Sequence, residues 1–293
     1  MKSWRHALEE KALSFIAFLM RQLPRNAALR FGEILGSLVY LIGVRTAVTR
    51  ENLTHAYPEF SSKQIEKIAR NCYRHFGALL AEFARLPLLH PDNVADLVEF
   101  EGFEVLDGAL KKGRGGIVVS GHLGNWELMG ASVAIAGYPV SYVVTSQQNP
   151  RVEALMDRLR ESTGVQIIKR KDAIKGVLRA LKSNQLVAIL SDQDTHEAGV
   201  FVPFFGRPAS TPRGAAMFCL RTGADLIFAE SYRRGKDRLK VVCELIPRDD
   251  LPDDQDEAVQ ELTRRFTARL EEAVRRHPEQ WFWMHRRWKT PPP

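Results

Sequence analysis

Apolar residues recur along the chain with two different periods. From Ser61 to about Leu86 they return every three or four positions, which is the period of an amphipathic helix. Ser61 and Gln64 fit the capping box that begins such a helix. After Pro91 the pattern changes to short apolar runs separated by longer mixed segments. The predicted strands are 116–120, 141–145, 165–168, 186–190, 226–229 and 239–245.

Helix-like segments at roughly 125–136, 150–162 and 172–183 lie between the first four predicted strands. This alternation predicts an α/β fold with a largely parallel sheet flanked by helices. The last two strands are joined by RRGKD, which reads as the turn of a hairpin and makes the sheet mixed. Apolar positions from Val259 to Val274 predict a final helix. We expect an α/β catalytic domain over residues 96–293, preceded by a helical part over 1–95.

Two apolar runs near the start of the chain, residues 12–20 and 31–44, suggest contact with a membrane. A spanning helix needs about 20 apolar residues, more than either run provides. A helical anchor at the membrane interface is one interpretation, and two helices packed on the protein's own core is the other. We take the N-terminal part to be membrane-associating and keep the second interpretation open.

Composition narrows the classes of partner. A hydrophobic content of 45% with 26% charged residues is typical of a globular chain and excludes disordered and collagen-like proteins. The formal net charge of +7 favours an anionic partner, either nucleic acid, a membrane surface or an acidic protein. Because no helix-turn-helix, RNP or zinc-finger pattern occurs, we expect no nucleic-acid partner. Three widely spaced cysteines indicate a reducing compartment.

The string VVSGHLGNWELMG places His122 and Glu127 directly after the strand at 116–120. On one regular helix these two side chains would point ~140° apart. They can meet only if His122 lies in the turn and the helix begins near Asn125. A carboxylate bound to one imidazole nitrogen leaves the other free to accept a proton from a hydroxyl, which can itself be the nucleophile. The string therefore suggests a general base, and the alternative is a histidine satisfied at the strand end beside a solvated glutamate.

A second acidic string, SDQDTHE, follows the strand at 186–190 and carries Asp192, Asp194 and His196. Carboxylates spaced by two are a usual ingredient of divalent-metal sites. The alternative is that they organise a pocket through hydrogen bonds with no metal, which the family resemblance given below implies. A metal-dependent hydrolase that uses Asp192, Asp194 and His122 remains the competing function from a different class.

Two aromatic strings have more than one interpretation. WFWMHRRW mixes Trp281, Trp283 and Trp288 with arginines, a combination suited to the headgroup level of a membrane. A non-catalytic membrane-binding module could be built on this segment and the N-terminus. GVFVPFFG, residues 199–206, could line an acyl-chain groove, dip into a bilayer or fill the core.

The string SGHLGNWE resembles the HxxxxD/E motif of the glycerolipid acyltransferase superfamily, in the HxxxxE form found in the lipid A late acyltransferase family. That family contains the lauroyl and myristoyl transferases of lipopolysaccharide biosynthesis. The similarity continues through DRLRESTG, SDQDTHEAGVFVPFFGRPASTPRGAA and HPEQWFWMHRRWKTPP, and more weakly through RENLTHAYPE. It covers nearly the whole chain and implies a glycerol-3-phosphate acyltransferase-like fold.

By position, the resemblance implies that His122 is the general base and that Glu127 is its orienting partner. It also implies a set of substrate-binding residues: Arg160, Arg158, Asp192, Asp194, Arg286 and Arg287.

The implied function is an O-acyltransferase at the cytoplasmic face of a bacterial inner membrane. It would move a fatty acyl group from acyl carrier protein to a hydroxyl of a lipid A precursor. The implied partners are acyl carrier protein, a phosphorylated glycolipid acceptor and the anionic inner-membrane surface. No bound cofactor is expected, because the donor's phosphopantetheine arm belongs to the substrate. The alternative is an acyltransferase of another glycolipid, such as a phosphatidylinositol mannoside, with acyl-CoA as donor.

Overall fold

A computed structural model describes residues 2–235 and 238–292 as helices, strands and their connections. Among these residues the helices are α1 (Lys2–Gln22), α2 (Arg25–Leu41), α3 (Thr46–Ala56), α4 (Ser62–Ala84), α5 (Pro91–Leu97), α6 (Glu104–Lys111), α7 (Trp126–Ile135), α8 (Pro150–Glu161), α9 (Ala173–Lys182), α10 (Gly214–Thr222) and α11 (Gln255–Arg276). The strands are β1 (Val98–Glu101), β2 (Gly116–Ser120), β3 (Val140–Val144), β4 (Gln166–Lys169), β5 (Leu186–Leu190), β6 (Val200–Phe204), β7 (Arg207–Thr211), β8 (Asp225–Arg234) and β9 (Arg238–Leu245).

The main sheet has the strand order β1-β9-β8-β2-β5-β3-β4. Neighbours in it are parallel except β8 and β9, which pair antiparallel. The predicted mixed, largely parallel sheet is thus confirmed. The predicted hairpin turn includes Lys236 and Asp237, which lie outside the described residues.

Sequence periodicity located β2 and β5 to the residue but missed three short strands. β1 has four residues, two of them glutamates, so it shows no apolar run. β6 and β7 form a separate hairpin in which Pro203 faces Pro208, and a proline within a run argues against a strand. This hairpin buries Phe204 and Phe205 in the core, so these two rings fill the protein interior.

The two faces of the sheet carry separate hydrophobic clusters. Alternate side chains along each strand point to opposite faces, so Val119 belongs to one cluster and Val118 packs against the other. Helices α9, α10 and α11 contribute to the first cluster, and α5, α6 and α7 contribute to the second. Since β2 and β5 are parallel neighbours, the residues that follow them emerge at the same edge of the sheet.

Helix α4 connects the N-terminal helices to this edge. It begins with the predicted capping box of Ser61 and Gln64. Its contact with α2 is close because glycines face one another, and a Cβ on Gly77 would come 2.0 Å from the carbonyl oxygen of Gly32. Helix α1 in turn packs on α4 and α8.

Helices α1 and α2 expose a series of large apolar side chains. Phe15 is 61% exposed, and Leu41 and Ile42 at the end of α2 are 74% and 75% exposed. Within the described ranges, no helix taken alone has the length and apolarity to cross a bilayer. Only the pair α2 and α3, bent by 92° at their junction, satisfies those criteria together.

The C-terminal tryptophans have a different position from the one predicted. Trp281 and Trp283 are 1% and 0% exposed, so placing them at a membrane headgroup level is wrong. Their rings meet edge to face at 4.6 Å between centroids inside the core. Trp288, further along the same C-terminal segment, stacks on Phe204. This aromatic packing fixes the C-terminal segment against the sheet edge.

Candidate active site

His122 lies in the turn between β2 and α7, as the spacing of the motif predicted. β2 ends at Ser120, and α7 begins after the N-cap Asn125, whose side-chain oxygen accepts a hydrogen bond from Leu128 N–H at 3.0 Å. Gly124 has a φ of +62°, and a Cβ there would come 1.8 Å from the carbonyl oxygen of Ser231. The turn therefore requires glycine at this position.

The C-terminal segment holds the turn from the other side. Gly124 N–H donates to the carbonyl oxygen of Gln280 at 2.9 Å, and Phe282 N–H donates to that of His122 at 3.1 Å. The imidazole packs edge to face against Trp126, with 4.8 Å between ring centroids. Backbone bonds and ring packing thus fix both the position and the plane of the histidine.

Asp192 is the carboxylate that binds His122. The ring Nδ1 lies 2.7 Å from Asp192 Oδ1, and the backbone N–H of His122 donates to Oδ2 at 2.7 Å. Trp281 Nε1–H donates to the same Oδ2 at 2.8 Å. Asp192 follows β5 and His122 follows β2, so the pairing of the two strands brings them together.

The surroundings of Asp192 keep it ionised. Burial by itself would raise its pKa, but the charge and hydrogen bonds of His122, together with the indole N–H of Trp281, hold the pKa at about 2. An ionised carboxylate only accepts hydrogen bonds, so Nδ1 of His122 carries the proton and donates. The other ring nitrogen, Nε2, is then the basic one.

Glu127 has a different partner from the one expected. Its carboxylate accepts hydrogen bonds from Arg160 Nε at 3.0 Å and Nη2 at 2.6 Å, a two-point ion pair. Its side chain is 6% exposed and that of Arg160 is 12% exposed. The carboxylate bound to His122 is therefore Asp192 and not Glu127, as had been expected. Glu127 lies in the first turn of α7 and points to α8.

Arg160 is held firmly at this place. Burial would lower its pKa, but the hydrogen bonds and charge of Glu127 raise it, so the guanidinium stays charged. It also lies over the ring of Phe83, 5.3 Å from its centroid. Arg158, two residues earlier on α8, is exposed.

The arginines of the C-terminal motif have separate environments. Arg287 is 1% exposed and donates to the carbonyl oxygen of Ser210 at 2.6 Å and to the hydroxyl of Thr211 at 2.5 Å. It holds the β6–β7 hairpin, which corrects the expectation that it binds substrate. Arg286 is exposed, and neither arginine lines the cavity described below.

Asp194 organises the loop after β5. Its carboxylate accepts from the backbone and hydroxyl of Thr290 at 3.1 and 2.9 Å and from His196 N–H at 3.0 Å. Its own backbone N–H donates to Nε2 of His285 at 2.9 Å. In the chain outside residues 1, 236–237 and 293, no three His, Cys, Asp or Glu side chains are grouped to hold a metal ion. The two aspartates are instead occupied by N–H and O–H donors.

A cavity of about 1200 Å³ opens beside His122 and extends to both faces of the sheet. We call its part between the sheet and α6–α7 the inner arm, and its part along α9–α10 the outer arm. The inner arm is apolar, and its lining includes Val118, Met129, Val133, Tyr142, Leu186 and Ala188. The outer arm includes Arg170, Ile174, Arg213, Met217, Phe218 and Arg221. His122, Glu127 and Arg160 also line the cavity.

Sequence comparison identifies the family to which the chain belongs. The family of bacterial lipid A biosynthesis acyltransferases matches residues 6–290. The chain belongs to this family. It is 28% identical over 280 residues to a lipid A biosynthesis lauroyltransferase of Escherichia coli K12, which covers 94% of this chain and 90% of that protein.

Two further relatives show the range of acceptors named among similar proteins. A lipid A biosynthesis palmitoleoyltransferase of the same strain is 26% identical over 283 residues, with 94% of this chain and 90% of that protein covered. A phosphatidylinositol mannoside acyltransferase of Mycobacterium tuberculosis CDC 1551 is 25% identical over 222 residues, with 73% and 67% covered. The suspected family is confirmed, and the chain is an acyltransferase of lipid A or a related glycolipid.

Several residues of this acyltransferase site carried no signal in the sequence. Glu82 on α4 is buried, and its carboxylate accepts from Asn125 Nδ2 at 2.7 Å and from Arg233 Nη2 at 2.6 Å. Burial would raise the pKa of Glu82, but mainly the charge of Arg233 holds it at about 2. The Asn125 cap is thereby tied to α4 and β8. Such ties join distant segments, so a local pattern cannot show them.

Proposed function

We propose that this protein transfers a fatty acyl group from a thioester donor, acyl carrier protein, to a hydroxyl of a lipid A precursor, with His122 as general base and Asp192 as its orienting carboxylate. The observation that carries the proposal is the imidazole itself: its Nδ1 is bound to an ionised, buried aspartate, and its ring lines the cavity.

The chemistry needs no nucleophile from the protein. Nε2 of His122 takes the proton of the acceptor hydroxyl while its oxygen attacks the thioester carbon. The C–O bond forms, the C–S bond breaks, and the leaving thiolate takes the proton back from the imidazolium. Asp192 stabilises the imidazolium between these steps without itself being protonated. A general base of this kind contributes about 10² to 10⁴ in rate.

Arg160 is the group we assign to the thioester carbonyl. Glu127 holds Nε and Nη2 of the guanidinium, which leaves Nη1 as the amino group directed elsewhere. A fixed cation beside the developing oxyanion stabilises the transition state, and more strongly where water is excluded. In this account Glu127 is a positioning residue that acts through Arg160.

The acyl chain of the donor would occupy the inner arm. This arm is lined by aliphatic and aromatic side chains from β2, β3, β5 and α7, and His122 lines the same cavity. Apolar surface buried there contributes about 25 cal/mol per Å² to binding. The depth of the arm then sets which chain lengths are used.

Membrane association is part of the proposal. The N-terminal part, residues 1–95, would lie at the cytoplasmic face of the inner membrane through the exposed apolar residues of α1 and α2. Leu80 on α4 is 64% exposed and also lines the cavity, so the apolar surface continues to the site. The acceptor could then reach His122 without leaving the bilayer surface.

The test is mass spectrometry of the lipid product. Purified protein is incubated with a Kdo-bearing lipid A precursor and acyl carrier proteins loaded with chains of about 10 to 18 carbons. These chains differ by up to roughly 10 Å in extended length, and each buried CH₂ contributes ~0.8 kcal/mol to binding. Parallel reactions use acyl-CoA with a phosphatidylinositol mannoside acceptor, because one group of relatives bears that name. We expect a lipid A product heavier by one acyl group.

Substitution of His122 tests whether this residue is the general base. His122→Ala should abolish the product while circular dichroism shows that the protein remains folded. Product formed only on the phosphatidylinositol mannoside would retain the acyltransferase mechanism and overturn the lipid A acceptor. Wild-type activity retained by His122→Ala would overturn the mechanism itself.

A further inference from the structure

The outer arm has the charge pattern of a phosphate-binding groove. Arg213, the N-cap residue of α10, is followed at intervals of four by Met217 and Arg221, which places the three on one face of the helix. All three line the cavity and are exposed. Two cations therefore flank an apolar side chain, with a helical rise of about 12 Å from the first to the second.

The start of α9 forms the opposite wall. Ile174 is 64% exposed there, and Arg170, just before α9, lies with its Nη2 3.5 Å from the hydroxyl of Thr195. α9 and α10 pack side by side on the same face of the sheet. The two walls of the groove thus both combine apolar side chains with guanidinium groups.

These arginines are weakly engaged within the protein. The only carboxylate recorded near Arg213 among the described residues is Asp256, at 3.9 Å and 93% exposed. No carboxylate partner is recorded for Arg221 in the same part of the chain, and Arg170 contacts only a hydroxyl. An exposed ion pair of this kind is worth little, so an incoming anion can replace it at small cost.

The position of the groove separates it from the proposed membrane side. α1 packs on α8 and α4, and Asn149 at the start of α8 donates to the carbonyl oxygen of His6 at 3.0 Å. α8 packs with α7, through Leu159 and Ala131, whereas α9 and α10 cover the opposite face of the sheet. The outer arm consequently lies on the other face of the sheet from α8, against which α1 packs.

We propose that the outer arm binds the phosphopantetheine arm of the acyl donor, with Arg213 and Arg221 binding its phosphate. The proposal rests on the function proposed above and specifies where the donor enters. The thioester lies at His122, the acyl chain fills the inner arm, and the extended pantetheine chain follows the outer arm to the phosphate, which lies over Met217 between the two arginines. A phosphate between guanidinium groups forms charge-assisted hydrogen bonds.

The test compares two thioesters that differ only in that phosphate, S-acyl-4′-phosphopantetheine and S-acyl-pantetheine. The double variant Arg213→Ala/Arg221→Ala is compared with Arg179→Ala/Arg207→Ala, which also removes two exposed arginines but leaves the cavity lining intact. We expect the wild type and the control to prefer the phosphorylated donor about tenfold in kcat/KM. The double variant should lose most of that preference with the acceptor KM unchanged.

Other results would overturn the assignment. A double variant that keeps the preference for the phosphorylated donor contradicts it, and so does one that raises only the KM of the acceptor, since the groove would then hold the acceptor's phosphate. Calorimetric titration with phosphopantetheine alone decides the point without turnover, since the double variant should bind about tenfold more weakly than the control. Transfer by the wild type from neither thioester would count against the proposed function instead.

Discussion

His122 Nδ1 and Asp192 Oδ1 lie 2.7 Å apart, although 70 positions separate the two residues in the chain. The parallel pairing of β2 with β5 creates this contact, because each residue follows the carboxyl end of its strand. Glu127, five positions from His122, is instead the partner of Arg160. Two buried carboxylates thus bind two different basic side chains at one site.

The roles of Arg160 and Arg158 can be separated by matched substitutions. Arg160→Ala should lower kcat about 100-fold, because it removes the cation beside the thioester carbonyl, whereas Arg158→Ala should change kcat less than about twofold. Arg160→Lys keeps the charge but not the two-point pairing with Glu127, and an intermediate value is expected. Steady-state kinetics at saturating donor and acceptor measures all three. A larger loss for Arg158→Ala would show that the carbonyl is bound from another direction.

Chain-length preference should respond to the inner arm. Val133 on α7 is buried and lines it, so Val133→Phe should shorten the arm and shift kcat/KM toward donors with shorter chains. Each methylene that no longer fits costs about 0.8 kcal/mol, or nearly fourfold. Ile135→Phe adds an aromatic ring to the same helix outside the cavity lining and serves as the control. An unchanged profile in Val133→Phe would place the acyl chain elsewhere.

Membrane binding should depend on the end of α2. Leu41→Glu/Ile42→Glu places two charges at positions that are 74% and 75% exposed, so folding should be unaffected. Flotation with vesicles of phosphatidylethanolamine and phosphatidylglycerol should show binding weakened about tenfold or more. Leu245→Glu, a substitution at a 47% exposed position of β9, should bind as the wild type does. Equal binding by all three proteins would remove α2 from the membrane contact.

Stability should fall in mild acid because of His75. Its Nε2–H donates to the carbonyl oxygen of Gly124 at 2.8 Å, and burial, with the charge of Arg233, lowers its pKa to about 4. The unfolded chain takes up this proton near pH 6.5 and the folded chain only near pH 4. The free energy of unfolding should therefore decrease by roughly 2–4 kcal/mol as the pH falls through that window.

Urea unfolding at several pH values measures this effect. The variant His75→Gln can still donate to Gly124 but does not titrate, so its stability should vary less between pH 6.5 and 4. The carboxylates of Asp192 and Glu82, each with a pKa of about 2, begin to lose their stabilising effect only as the pH falls to their unfolded values of 3.8 and 4.5, so the slope above that range reports His75. Equal slopes for His75→Gln and the wild type would assign the acid sensitivity to another group.

The sequence revealed the parts of the site that local patterns encode. The turn at His122 was predictable because an apolar strand, glycines and a capping asparagine follow one another within a few residues. That Asp192 and not Glu127 binds His122 was not predictable, because this contact depends on which strands are neighbours. The signal was present nonetheless, since both strings follow predicted strands and parallel neighbours end at one edge.

The tryptophans show a second reason why composition can mislead. Aromatic and basic residues in one string fit a membrane interface as well as a core whose polar atoms are satisfied. Trp281 is buried, and its indole N–H binds Asp192, a contact that no periodicity reveals. The core placement becomes visible only when the C-terminal segment is seen across the edge of the sheet.

The most direct test of the account is a double-mutant cycle on kcat with His122→Ala, Asp192→Asn and the combined variant. If Asp192 acts through the imidazole, each single variant should lower kcat by about 10² to 10⁴, and the combined variant should be no slower than His122→Ala. Multiplicative losses in the combined variant, or an Asp192→Asn protein as active as the wild type, would contradict the assignment of these two residues to one general base.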